Sequence, residues 1–272
     1  MKHCRFGLIG HPIAHSLSPA LFKAGYEGRY PYELIEGEDF EESYQKFLEE
    51  YDGINVTAPF KELAFSKADI LSPECEAVGA TNLLIKTHKG VKAFNSDFLG
   101  VRMWLEEVAG KVEASISYTD RSSSTNGSHP ENISVLIVGL GGAGKAAAAA
   151  AESLGMEVVR MNRTVRDEMT RPLDDFIECF READIIIYNI PAAIPVLCEL
   201  TDSDFTPGKP KFILEANYKN PSFDKTLLAK MQAANPLARY TGGKTWLLYQ
   251  AVTGYDIFTG EKPDLGRMAD VL

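Results

Sequence analysis

The sequence predicts an α/β protein of two domains, and three observations carry that prediction. Short apolar runs with strand character alternate with helical patterns through the first third of the chain. A second alternation opens at Val135, where an apolar strand meets a glycine-rich turn and then a run of alanines. Between the two lies Tyr118–Asn132, rich in Ser, Thr, Asn and Gly, which reads as a mobile surface loop.

Each element has a local reason. Strands read at Cys4–Gly10, Tyr30–Ile35, Gly53–Val56 and Asn82–Thr87, the last turning at His88-Lys89-Gly90 and returning to Phe94. Helices fit Pro19–Glu27, Phe40–Glu50 with Asp39 as N-cap, and Phe60–Ile70. This is βαβ logic closed by an antiparallel hairpin. From Phe98 a helix with Leu99, Met103, Trp104 and Val108 on one face leads to Gly110. The second alternation continues through strands at Met156–Met161, Ala183–Tyr188 and Lys211–Glu215. After Gly242-Gly243 come a long helix, Thr245–Phe258, and a short one beyond Pro263. Such a tail is expected to pack back on the first domain, which puts the active site in the cleft between the two. The expected domains are residues 1–98 with 243–272, and residues 99–242.

Composition narrows the class. At 272 residues, 45% hydrophobic and 24% charged, the chain is that of a soluble globular protein with room for two cores. A net charge of −10 argues against nucleic acid and anionic membrane as partners. Cys4, Cys75, Cys179 and Cys198 show no metal-ligand or C-x-x-C spacing, so they read as buried thiols in a reducing cytoplasm. No signal peptide or membrane-spanning stretch is visible, and no carboxylates stand at metal-binding spacing.

The glycine-rich turn is the strongest motif. Val135-Leu-Ile-Val-Gly-Leu-Gly-Gly-Ala-Gly-Lys sets Gly139, Gly141 and Gly144 in the G-x-G-x-x-G pattern between a strand and a helix, with Gly142 and Ala143 inside the loop. Gly139 makes the tight turn, Gly141 lets backbone approach a pyrophosphate, and Gly144 lets helix meet strand. The helix N-terminus offers free N–H groups to phosphate. The next strand ends in Asn162-Arg163-Thr164, followed by Arg166, where a carboxylate would hold a ribose 2′-hydroxyl. Arginines there suit a 2′-phosphate instead, so NADP is expected over NAD.

In the first domain, Lys61 follows Gly53-Ile-Asn-Val-Thr-Ala-Pro-Phe, a strand end turning through Pro59 into a helix. Its ammonium therefore falls at the carboxyl edge of a sheet, where ligands of open α/β sheets bind. It reads as a donor to a forming alkoxide or as a solvated first-turn lysine. Asp97, after Asn95 and Ser96, reads as its partner or as a helix N-cap. Ser18 before Pro19 fits an N-cap; Ser16 has no such role, and together the two hydroxyls can grip a carboxylate. His11 and His15 have no carboxylate nearby in sequence to orient them and read as positional.

Taken together, Gly10-His-Pro-Ile-Ala-His-Ser-Leu-Ser-Pro, Asn55-Val-Thr-Ala-Pro-Phe-Lys, Gly79-Ala-Thr-Asn, Asn95-Ser-Asp-Phe-Leu-Gly, the glycine fingerprint, Asn162-Arg-Thr and Gln250-Ala occur in an order that resembles the shikimate dehydrogenase family over nearly the whole chain. The resemblance implies NADPH-dependent reduction of 3-dehydroshikimate to shikimate, by direct hydride transfer, in aromatic amino-acid biosynthesis. It implies Lys61 and Asp97 as the catalytic pair and Ser16 and Ser18 as carboxylate ligands. It further implies Thr57, Asn82 and Gln250 around the ring hydroxyls, Tyr218 near the carboxylate and Gly243 at the nicotinamide. A monomer or homodimer acting on a small molecule is expected. The chain departs from the family pattern at Leu83, at Tyr188-Asn-Ile-Pro, at Asp167 and at Trp246. The alternatives are a quinate-accepting relative using NAD and a catalytically silent NADP-binding sensor.

Overall fold

A computed structural model describes residues 4–119, 133–165 and 167–272. Two compact units divide the chain, one holding the residues up to Gly100 with Leu247–Leu272, the other Val101–Trp246. The expected loop over 120–132 lies outside the described residues, as does Arg166.

In the first unit, β1 (Phe6–Gly10) is buried throughout and leads to α1 (Ser18–Tyr26) and β2 (Tyr32–Glu36). Then come α2 (Phe40–Glu50), capped by Asp39 accepting from Glu42 N, and β3 (Gly53–Val56). The helix expected over Phe60–Ile70 is only α3 (Lys61–Ser66). The reason is tertiary pairing. Asp69 Oδ2 accepts from Val91 N at 2.7 Å, which turns Ile70–Leu71 into the short strand β4, followed by α4 (Pro73–Val78). A ladder with a real partner outweighs the mild helix preference of the segment. The hairpin β5 (Leu83–Thr87) and β6 (Gly90–Phe94) follows, and Gly90 at φ +118 leaves room for the Asp69 carboxylate. The sheet is mixed, in the order β2-β1-β3-β5-β6-β4.

The helix expected to end at Gly110 is α5 (Ser96–Thr119), so Tyr118 and Thr119, read as loop, are helical. The second unit then builds β7 (Ser134–Val138), α6 (Gly142–Ser153), β8 (Glu157–Met161), β9 (Thr170–Arg171), α7 (Phe176–Glu182), β10 (Ile185–Tyr188), β11 (Lys211–Glu215), α8 (Lys225–Ala234) and β12 (Ala238–Thr241). All its strand pairs are parallel, in the order β12-β11-β10-β7-β8-β9. That is the doubly wound Rossmann arrangement, whose switch point falls between β7 and β10. The glycine turn follows β7, so it opens at that point.

The chain ends with α9 (Gly243–Thr259) and α10 (Leu265–Ala269). Leu248, Ala251, Tyr255 and Met268 join Phe6, Leu21, Phe22 and Tyr26 in one cluster of the first unit. Tyr26 OH donates to Tyr255 O and Glu261 O, each at 2.8 Å, and burial pushes its pKa up to about 12. Of the four thiols expected to be buried, Cys75 and Cys179 are; Cys4 is half-buried and Cys198 exposed. Among the described residues no helix is long and apolar enough to cross a membrane.

Candidate active site

The first unit gathers side chains at the carboxyl ends of β1 and β3. Lys61 opens α3 directly beyond β3, and Asp97 sits in the first turn of α5. They meet: Lys61 Nζ donates to Asp97 Oδ2 at 2.5 Å, with 27% of the lysine and 12% of the aspartate side chain exposed. The capping role open to Asp97 in the sequence falls to Asn95, whose Oδ1 accepts from Phe98 N at 3.0 Å. The pair is sheltered on the aspartate side and open on the lysine side, so the ammonium keeps protons for an incoming oxygen.

Around the pair the remaining polar groups are held in place. Asn82, buried just before β5, accepts from Ser96 N at 2.7 Å, which ties it to the residue before Asp97. Thr57 touches Gly10, where an added Cβ would stand 2.4 Å from the threonine methyl. Gln250 backs onto α5 so closely that a Cβ on Gly100 would lie 2.5 Å from its backbone N. Ser16 Oγ donates to Ser18 Oγ at 3.2 Å and accepts from Ser18 N at 3.2 Å. The capping role expected for Ser18 is absent: α1 has no side-chain N-cap, and the Ser18 hydroxyl is met by Ser16 instead. Tyr255 OH donates to Ser18 O at 3.1 Å, and Tyr32 OH to Asn55 Oδ1 at 2.8 Å. Both phenols are raised above their ordinary range by burial. No spacing in the sequence announces these tyrosines as supports. His11, read as lacking a local carboxylate, lies within 3.9 Å of Glu36 and 3.7 Å of Glu38, both brought from the end of β2.

The second unit offers backbone. Gly139 turns at φ +89, and a Cβ on Gly144 would stand 1.8 Å from Gly139 O, so only glycine fits there. At Gly141 and Gly142 the reverse holds, with nothing within 4 Å of an added Cβ. Their lack of a side chain serves no packing among the described residues. Ala143 is half-buried between them and Gly144, and α6 begins at Gly142 with Gly141 as an N-cap that offers no side chain. The first N–H groups of a helix pointing into open space are a ready anion site. Asn162 closes the far side, its Oδ1 accepting from Leu140 N at 3.5 Å and its Nδ2 donating to Thr164 O at 3.2 Å. Arg163 and Thr164 are exposed at the end of β8. Asp167 does not oppose them as a loose charge: its Oδ1 accepts from Met169 N at 3.0 Å and Thr170 Oγ1 at 2.8 Å.

Two further sequence candidates lie at the carboxyl end of β11. Tyr218 is half-buried in the turn that follows it, and its hydroxyl makes no hydrogen bond to another described residue. Gly243 opens α9 against Ala216, where a Cβ would meet Ala216 O at 2.2 Å. Trp246 is 5% exposed.

Two family models match parts of the chain. Residues 8–84 match the shikimate dehydrogenase substrate-binding domain, and residues 103–195 the NAD-binding domain of D-isomer specific 2-hydroxyacid dehydrogenases. A shikimate dehydrogenase (NADP(+)) of Thermus thermophilus is 28% identical over 98% of this chain and 96% of that protein. The crystal structure of shikimate 5-dehydrogenase from Thermus thermophilus with NADP(H) and shikimate superposes with a TM-score of 0.74 at 25% identity, covering 98% of both chains. Quinate dehydrogenase from Corynebacterium glutamicum with NAD, at 21% identity and 98% of both chains, shares the fold with a TM-score of 0.75. The fold is that of a two-domain α/β protein whose second unit is a Rossmann-like domain of the NAD(P)-binding kind. Over nearly its whole length the chain is similar to shikimate dehydrogenases.

Proposed function

We propose that this protein is an NADP(H)-dependent oxidoreductase acting on a CH–OH group, a shikimate dehydrogenase that interconverts 3-dehydroshikimate and shikimate in aromatic amino-acid biosynthesis. The observation that carries the reading is the 2.5 Å pair of Lys61 and Asp97 at the sheet edge. Similarity along 98% of the chain to a shikimate dehydrogenase (NADP(+)) supports the substrate and the cofactor.

The residues present fit the nucleotide. The open faces of Gly141 and Gly142 and the uncapped start of α6 suit a pyrophosphate, and Arg163 with Asn162 and Thr164 suits a 2′-phosphate. We add Arg166 and Gly243 to this set. When bound, the reduced nicotinamide supplies the hydride. Lys61 donates a proton toward the ketone oxygen as negative charge develops on it. Asp97 holds that ammonium in place and accepts from a neighbouring substrate hydroxyl. We assign Ser16, Ser18 and Tyr218 to the substrate carboxylate, and Thr57, Asn82 and Gln250 to the ring hydroxyls. Each hydroxyl left unpaired on binding would cost about 1–3 kcal/mol, so a polyhydroxylated ring needs such a set.

We place the enzyme in the cytoplasm, as a monomer or homodimer without nucleic-acid or membrane partners. The thiols of Cys75, Cys179 and Cys198 and the charge of −10 support that placement. The test is the initial rate of nucleotide reduction with shikimate and with quinate, each with NADP⁺ and with NAD⁺. A shikimate rate that is fastest with NADP⁺ is expected. A faster quinate rate with NAD⁺, or NADP⁺ binding with no turnover, would overturn the assignment.

A further inference from the structure

Glu215 is the last residue of β11 and is 0% exposed. A buried carboxyl is costly unless its oxygens are satisfied. This one has no ion pair to a described residue; it is met by hydrogen bonds instead. Oε1 accepts from Ser222 N, and Oε2 accepts from Phe223 N at 3.3 Å and from Tyr240 OH at 2.8 Å. The phenol of Tyr240 is raised above its ordinary range by burial and by this contact. The two amides lie seven and eight residues further along the chain, so one side chain closes the loop that leaves β11.

The loop has a second anchor. Asn217 Nδ2 donates to Pro191 O at 2.9 Å and Asn220 O at 2.7 Å, while its Oδ1 accepts from Lys219 N and Asn220 N, each at 3.2 Å. Tyr218 stands between these anchors. Its backbone neighbours are fixed, yet its hydroxyl bonds to no other described residue. The root of the loop also lies against α9, since a Cβ on Gly243 would be 2.2 Å from Ala216 O and 2.9 Å from Glu215 O. A held backbone carrying an uncommitted phenol is the arrangement of a side chain kept for a ligand.

We propose that Glu215 is a positioning residue for the substrate: by closing the 216–223 loop it holds Tyr218 where the substrate carboxylate is bound. The inference rests on the reading that Tyr218 meets that carboxylate. A carboxylate does this where an amide cannot. Glutamine has one acceptor oxygen, so its NH₂ would face at least one of the two backbone N–H groups.

Steady-state kinetics of Glu215→Gln, Tyr218→Phe and the double variant test it, with NADP⁺ affinity measured by nucleotide fluorescence. Glu215→Gln should raise the KM for shikimate about five-fold, the scale of one hydrogen bond, with kcat and NADP⁺ affinity within about two-fold. Tyr218→Phe should do the same, and the double variant should go no further than Tyr218→Phe alone, because both act through one contact. If Glu215→Gln does not fold, Glu215→Asp, which keeps two acceptors on a shorter arm, should give the same KM effect at reduced size. An unchanged KM with lowered melting temperature, or additive effects in the double variant, would overturn the positioning role. An unchanged KM in Tyr218→Phe alone would overturn the reading of Tyr218, and with it the role of Glu215.

Discussion

In the first unit the candidate site is made of side chains delivered by β1, β3, α3, α5 and α9; in the second its phosphate cradle is made of main-chain N–H groups between β7 and α6, with side chains such as Arg163 and Tyr218 beside it in the assignment. Side chains such as Lys61 and Asp97 reach across 36 residues of sequence to meet, and the cap of α5 comes from Asn95 rather than from either of them. The glycines of the second unit divide two jobs, since the lack of a Cβ at Gly144 closes the helix onto the strand while Gly141 and Gly142 leave the anion cradle open. Changes in the first unit should therefore alter chemistry with little effect on folding. Changes at the glycines of the second should alter folding and nucleotide binding together.

The sharpest contrast is expected from Lys61→Ala. Losing the proton donor should lower kcat by about a thousand-fold, within the usual range for general acid catalysis, while nucleotide affinity stays within about two-fold. Near-normal turnover would break the assignment of chemistry to the first unit. Arg163→Ala comes next. Charge-assisted bonds of about 1.5–3 kcal/mol would be lost, so NADP⁺ should bind about 10- to 100-fold more weakly while NAD⁺ is unaffected. An equal loss for both nucleotides would show that the arginine does not read the phosphate.

Gly144→Ala should cost about 1–3 kcal/mol of stability by forcing a Cβ into Gly139 O, and should weaken NADP⁺ binding as well, read by urea unfolding and titration. A loss of affinity without a loss of stability would show that Gly144 does not act through its packing on Gly139.

An effect confined to alkaline pH concerns Lys211, 1% exposed at the start of β11, whose Nζ donates to Phe180 O at 2.7 Å and Ala183 O at 2.5 Å. Desolvation lowers its pKa from 10.5 to about 8. The unfolded chain therefore binds more protons between those values, so this group makes stability rise with pH from about 8 to 10. The gain should be at most about 2–3 kcal/mol. Lys211→Met should abolish that rise, measured as urea midpoints at pH 8 and pH 10. A rise that persists in the variant would assign it to another group.

Sequence legibility followed the same contrast. The backbone site is written in consecutive residues, so Gly139, Gly141 and Gly144 could be given their places from spacing alone. Lys61, Asp97 and Ser16 could be nominated from strand ends, yet the approach of Lys61 to Asp97 depends on β3 and α5 meeting in space. Thr57, Asn82 and Gln250 carried no local signal beyond the family resemblance. The buried Glu215 carried none either, because a glutamate at a strand end looks like any solvated one. The short helix α4, the strand β4 and α8 also went unread. For α8 a signal was present, Asp224 accepting from Leu227 N at 2.8 Å, whereas β4 exists only because β6 is there to pair with it.

The six alanines of α6, Ala146–Ala151, have a consequence for the cost of association. An alanine has no rotamers to freeze, so this helix forms with little loss of side-chain entropy. Five of the six are buried, which leaves no space for larger groups to shift under load. The helix that presents its N–H groups to a phosphate is thus a stiff rod ordered in advance, and binding there has little disorder left to remove.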